Sequence, residues 1–98
     1  MEDAVRLIEL LQQAAEWNDE EASIYATQPW SCDAEAVFVT PSPNTTEPIR
    51  RGETSYDYFL EAIIAREFIE DYAASGEGGA ASNWQRCERL IRYAQSDA

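Results

Sequence analysis

Three prolines within eight positions, Pro41, Pro43 and Pro48, divide this chain into two stretches of different character. Each proline ring fixes φ and removes a backbone donor, so neither a helix nor a sheet interior runs through 41–48. Before the break, Ala22–Thr27 and Ala34–Thr40 read as strands. In the second, Val37-Phe38-Val39 supplies the β-branched and aromatic side chains that suit a pleated surface. The link Gln28–Asp33 is long enough for an open hairpin and too short for a parallel crossover, so the pair is expected to be antiparallel. The segment 41–54 reads as a Pro-rich loop, in which Ile49–Glu53 adds at most a short edge strand.

Helical periodicity marks three further segments. Residues 2–17 carry Val5, Ile8, Leu11 and Ala15 at spacings of three and four, with Leu7, Leu10 and Ala14 widening the stripe. Over 55–74, Leu60, Ile64, Phe68 and Tyr72 form one i+4 row beside Phe59 and Ile63. Thr54 and Asp57 resemble a capping box at its start. A Gly-rich hinge occupies 75–81. Ser82 with Gln85 makes a second capping box, and Trp84, Cys87, Ile91 and Ala94 give the last helix an apolar face. The chain is 45% apolar and has 11 aromatic residues, too rich for a disordered acidic tail. The expectation is a single small α+β domain over 1–98, ordered α-β-β-(loop)-α-α. Its two- or three-stranded antiparallel sheet would be covered by helices on one face.

Absent residue types narrow the chemistry. There is no histidine and no lysine, and all seven cations are arginine. An imidazole base, a Ser-His or Cys-His pair, a P-loop lysine and a Schiff base are all excluded. Cys32 and Cys87 lack CxxC spacing, and the acidic run 19–21 lacks the alternation of a calcium loop. No cofactor, no metal and no enzymatic activity are expected. Asp57 and Glu61, at i and i+4 on the expected helix, offer an acid/base pair, but a solvated polar face explains them better. Cys32 beside Trp30 and Asp33 offers a loop thiol with no nearby cation to stabilise a thiolate. Two buried reduced thiols are expected, with a single disulfide as the alternative. The N-terminus shows no signal pattern, and no apolar stretch approaches the roughly 18 residues of a membrane span. Those two readings point to a cytoplasmic protein with no membrane partner, and the Asn44-Thr45-Thr46 sequon then reads as a coincidence.

Charge then points to a kind of partner. Nineteen acids against seven arginines give a net charge of −12 and a pI near 4.1. Such a surface repels nucleic acid and anionic membranes and attracts the proteins that bind them. The first 40 residues hold nine acids against Arg6 alone, and Glu16, Asp19, Glu20 and Glu21 crowd a helix exit where the dipole is already negative. With Asp33 and Glu35 they form the primary candidate surface. Glu67, Glu70 and Asp71, spaced by three and four, form a secondary one. Trp30, Tyr25 or Tyr56 at its rim would add aromatic anchors. A purely structural alternative lays Arg86, Arg89 and Arg92 beside Glu67, Glu70 and Asp71. The expected function is an acidic, nucleic-acid-mimicking inhibitor of a nuclease or defence complex, of the anti-CRISPR or anti-restriction kind. It would bind a basic nucleic-acid-binding protein, not nucleic acid itself, as a monomer or homodimer. Alternatives are an immunity protein or antitoxin against a cationic toxin, or a housekeeping interaction subunit whose acidity is only solubilising. No motif establishes a family.

Overall fold

The computed structural model describes residues 4–17, 21–43, 45, 47–75 and 81–97. In chain order it contains β1 (Val5–Arg6), α1 (Leu7–Gln12), a 3₁₀ turn (Ala14–Glu16), β2 (Ser23–Ala26) and β3 (Glu35–Val39). There follow β4 (Ile49–Arg51), β5 (Thr54–Glu61), α2 (Ala62–Ala74) and α3 (Asn83–Asp97). The strands form one five-stranded sheet in the order β1-β3-β2-β5-β4, antiparallel at every pairing. This corrects the expected two- or three-stranded sheet and the α-β-β-(loop)-α-α order.

The additional strands have identifiable causes. Val5 and Arg6 pair with Ala36 and Glu35 at the edge of β3, so they do not enter the helix expected over 2–17. The β2–β3 connection then takes the first amide donors of α1: Leu7 N–H bonds the Ala34 carbonyl at 2.8 Å and Ile8 N–H bonds the Cys32 carbonyl at 3.0 Å. Helix termini need such external acceptors and donors. The segment 54–61 is a strand although it was expected to begin a helix. Tyr56 and Tyr58 alternate on one face, which is the period of a strand, and aromatic side chains favour a pleated surface. A bulge then follows: Ile24 opposes Leu60 while Tyr25 opposes Tyr58, leaving Phe59 extra. A bulge breaks the alternation, so Phe59 and Leu60 both reach the helix-side core.

β4 and β5 meet at a tight turn in which Arg51 pairs with Thr54. Gly52 opens its two-residue loop with φ of 63°, a conformation that costs glycine nothing and other residues strain.

The helices pack on one face of the sheet. Ile24 and Ala26 of β2, Ala36 of β3 and Phe59 and Leu60 of β5 meet Leu7 and Leu11 of α1, Ala65 of α2 and Leu90 of α3 in one buried cluster. The opposite face carries a second cluster of Tyr25, Val37 and Tyr56, flanked by Val39, Ile49 and Tyr58. Part of the Pro-rich segment ties down this face. Tyr25 Oη donates to the Thr45 carbonyl at 3.2 Å, the Ser23 and Ser42 hydroxyls bond each other, and Ser42 N–H bonds the Glu21 carbonyl.

Candidate interaction surfaces

The structure distributes the candidate acids between opposite ends of the sheet. Ser23 opposes Glu61 at one end of the central pair, while Ala26 opposes Asp57 at the other. Glu21 lies just before β2, at the first end. There the chain turns into α2, with Ala62 N–H bonding the Ala22 carbonyl at 3.0 Å. Glu67, Glu70 and Asp71 are all exposed along α2. At 1.5 Å rise per residue they lie roughly 9–15 Å along the axis from Glu61. Glu16 is exposed at the end of the 3₁₀ turn, and Ala14 of that turn lines one cleft together with Ile69 and Glu70. Glu16, Glu21, Glu61, Glu67, Glu70 and Asp71 therefore surround α2 and the strand ends that feed it. Asp19 and Glu20 lie outside the described residues.

Asp33 and Glu35 belong to the far end, separated from that group by the length of the strands. Both have local partners. Arg6 donates from Nη1 to Asp33 Oδ1 at 3.0 Å and from Nε to Glu9 Oε1 at 3.2 Å, and its backbone N–H also reaches Glu9 Oε1 at 3.2 Å. These hydrogen bonds from Arg6 hold the Glu9 carboxyl below its ordinary range, and those to Glu9 and Asp33 raise the Arg6 guanidinium. Tyr56 Oη donates to Glu35 Oε2 at 3.0 Å. Burial, with a smaller contribution from the Glu35 carboxylate, pushes the Tyr56 phenol up.

The anticipated aromatic rim divides in the same way. Tyr25 and Tyr56 are buried in the second sheet face, so neither is a surface anchor. Trp30 is half-buried, stacked edge-on against Phe59 with centroids 4.9 Å apart, and its Nε1–H bonds the Ala26 carbonyl at 3.3 Å. It borders a cleft of about 280 Å³ with Ser31, Trp84, Glu88 and Arg92. Trp84 was expected on the buried face of the last helix and is instead 43% exposed. The apolar stripe of α3 is completed by Leu90, leaving Trp84 exposed in the helix's first turn.

The cationic row of α3 does not lie wholly against α2's acids. Arg86 shares a cleft of about 220 Å³ with Arg66 and Glu70, between α1, α2 and α3, whereas Arg89 and Arg92 are exposed. Contact between α2 and α3 includes Phe68 stacked on Tyr93, with ring centroids 4.8 Å apart.

Two sequence readings of possible chemistry end here. Asp57 and Glu61 stand on β5, not on a helix, so four residues of strand separate them by about 13 Å. They cannot act as a pair. Cys32 is 1% exposed and burial raises its thiol, so it is a buried, weakly ionised thiol and not an exposed one. Among the described residues no group of three or more side chains is placed to hold a metal, and no helix is long and apolar enough to cross a membrane. Set against known proteins, the chain matches no family, no curated sequence and no solved structure.

Proposed function

We propose that this protein is an acidic inhibitor that occupies the nucleic-acid-binding site of a nuclease or nucleic-acid-binding defence complex. The exposed carboxylates around α2, namely Glu16, Glu21, Glu61, Glu67, Glu70 and Asp71, carry this reading. Carboxylates on adjacent helix turns stand about 5–6 Å apart at their Cβ atoms, a spacing from which a folded face imitates part of a phosphate track. Of these six acids, the α2 segment holds Glu67, Glu70 and Asp71 against Arg66, so its own charges repel more than they attract. Local conflicts of this kind are expected where a surface serves a partner. Asp33 and Glu35 contribute less, because each already has a partner within the fold.

The test is capture. Immobilised protein is exposed to bacterial lysate, eluted with a salt gradient and challenged with competing DNA, beside the triple variant E67R/E70R/D71R and the single variant D33R. The reading expects a basic nucleic-acid-binding protein, released by DNA, retained by wild type and D33R and lost with the triple variant. Retention of nothing at about 0.15 M salt, where surface charges still act over a Debye length of about 8 Å, overturns it. Undiminished capture by a folded triple variant overturns the assignment to α2.

A further inference from the structure

Cys32 and Cys87 stand 55 positions apart in sequence, and the fold brings them together. Cys32 lies in the β2–β3 connection, where its Sγ donates to the Trp84 carbonyl at 3.7 Å, in the first turn of α3. Cys87 follows one turn later. Both side chains are 1% exposed and belong to the same buried cluster. Neither is bridged. The β2–β3 connection also supplies the carbonyls that start α1 and, through Arg6, holds β1 and α1 to Asp33. It is a junction between the N-terminal elements and the last helix.

We infer that Cys32 and Cys87 form a reversible dithiol–disulfide couple that, when oxidised by a small-molecule disulfide, clamps α3 to the β2–β3 connection. Cys32 is the entry point, because it lines the cleft shared with Trp30, Trp84 and Glu88, and at 1% exposure the oxidant reaches it as that cleft widens. Its thiol loses a proton and attacks one sulfur of the oxidant, forming a mixed disulfide, and the departing sulfur takes up a proton as the first thiol product. Cys87 then loses its proton and attacks Cys32 Sγ. The protein S–S bond forms, the mixed disulfide breaks and the second thiol product leaves. The protein gives up two electrons and two protons, and the oxidant's disulfide becomes two thiols. Burial raises both thiols, Cys87 more strongly, with the neighbouring Glu88 and Asp33 carboxylates adding to the effect. Only thiolates exchange, so the reaction is slow at neutral pH and accelerates as pH rises.

Incubation of the folded chain with oxidised glutathione, followed by intact mass, thiol alkylation and thermal melting with and without reductant, tests the couple. The expected product is a monomer lighter by two hydrogens, protected from alkylation at both cysteines. A native cross-link closing a loop of this length raises the melting temperature by about 10 °C or more, and dithiothreitol reverses the gain. The C32S/C87S variant melts independently of oxidant and controls for other effects of glutathione. Glutathione left on one cysteine without an internal bond, covalent dimers as the main product, or a bond that lowers the melting temperature each overturn the inference. So does a bond that forms only when the chain is oxidised in urea.

Discussion

At the scale of single residues, the buried clusters carry most of the stability and the exposed charges little of it. Leu90 is fully buried beneath α3, so Leu90→Ala removes its contacts and leaves a cavity. A loss of about 2–5 kcal/mol is expected, read as a fall in the urea midpoint. Trp84→Ala costs less, since that ring is only partly covered. On the other sheet face, burial raises the phenols of Tyr25, Tyr56 and Tyr58 above their ordinary value. A raised folded-state value means that stability is fully present below about pH 10, the unfolded value, and is lost as pH climbs through the elevated one. Urea midpoints should therefore hold steady up to about pH 9 and decline above pH 10. In Tyr56→Phe the decline should be shallower, because one of the three buried ionisations is gone. An equal or steeper decline in the variant would show that Tyr56 contributes nothing to alkaline unfolding.

Among the elements, α3 illustrates what was legible in the sequence. Ser82 and Gln85 make the reciprocal capping contacts that their spacing suggests: Gln85 N–H to Ser82 Oγ at 3.1 Å and Ser82 N–H to Gln85 Oε1 at 2.9 Å. Ser82→Ala removes one of these and should cost about 1 kcal/mol by chemical denaturation, whereas Ser82→Asp should restore most of it. β2 and β3 were legible too, from a run of β-branched and aromatic residues between turn signals. β5 was not, because Leu60, Ile64, Phe68 and Tyr72 hold helical spacing across its boundary with α2. Only the Tyr56–Tyr58 alternation, and the Gly52-Glu53 pair that suits a two-residue hairpin, contradicted that row. Gly52→Ala tests this turn. No atom obstructs an added Cβ there, so the expected loss of about 1 kcal/mol comes from the positive φ alone. The acidic surface was legible in amount and not in arrangement. Arg6 reaches Asp33 across 27 positions of sequence, and no local spacing announces that contact.

For the whole molecule, the net charge of −12 sets a test that separates a binding surface from a general adaptation to salt. If the acidity served only to keep the chain folded in concentrated salt, the fold would depend on molar salt to screen its self-repulsion. A surface that serves a partner carries no such requirement. The acids around α2 project from one helix and adjoining strand ends, while Leu7, Ile24, Ala36 and Leu90 are fully buried beneath the helices. Like-charge pairs at helical spacing cost only a few tenths of a kcal/mol each. The protein should therefore be folded at about 0.01 M salt, where the Debye length is about 30 Å. Its urea midpoint should rise modestly up to about 0.15 M and change little beyond, with sodium and potassium chloride equivalent. The variant E67R/E70R/D71R reverses three charges, reducing the net charge from −12 to −6. It should flatten that salt dependence without loss of helical circular dichroism. Flattened salt dependence together with lost capture of a basic partner would tie the repulsion and the recognition to the same face of α2. Unfolding of wild type at low salt with recovery only in molar potassium chloride would instead make the acidity a condition of folding, and the proposed inhibitor surface would lose its main support.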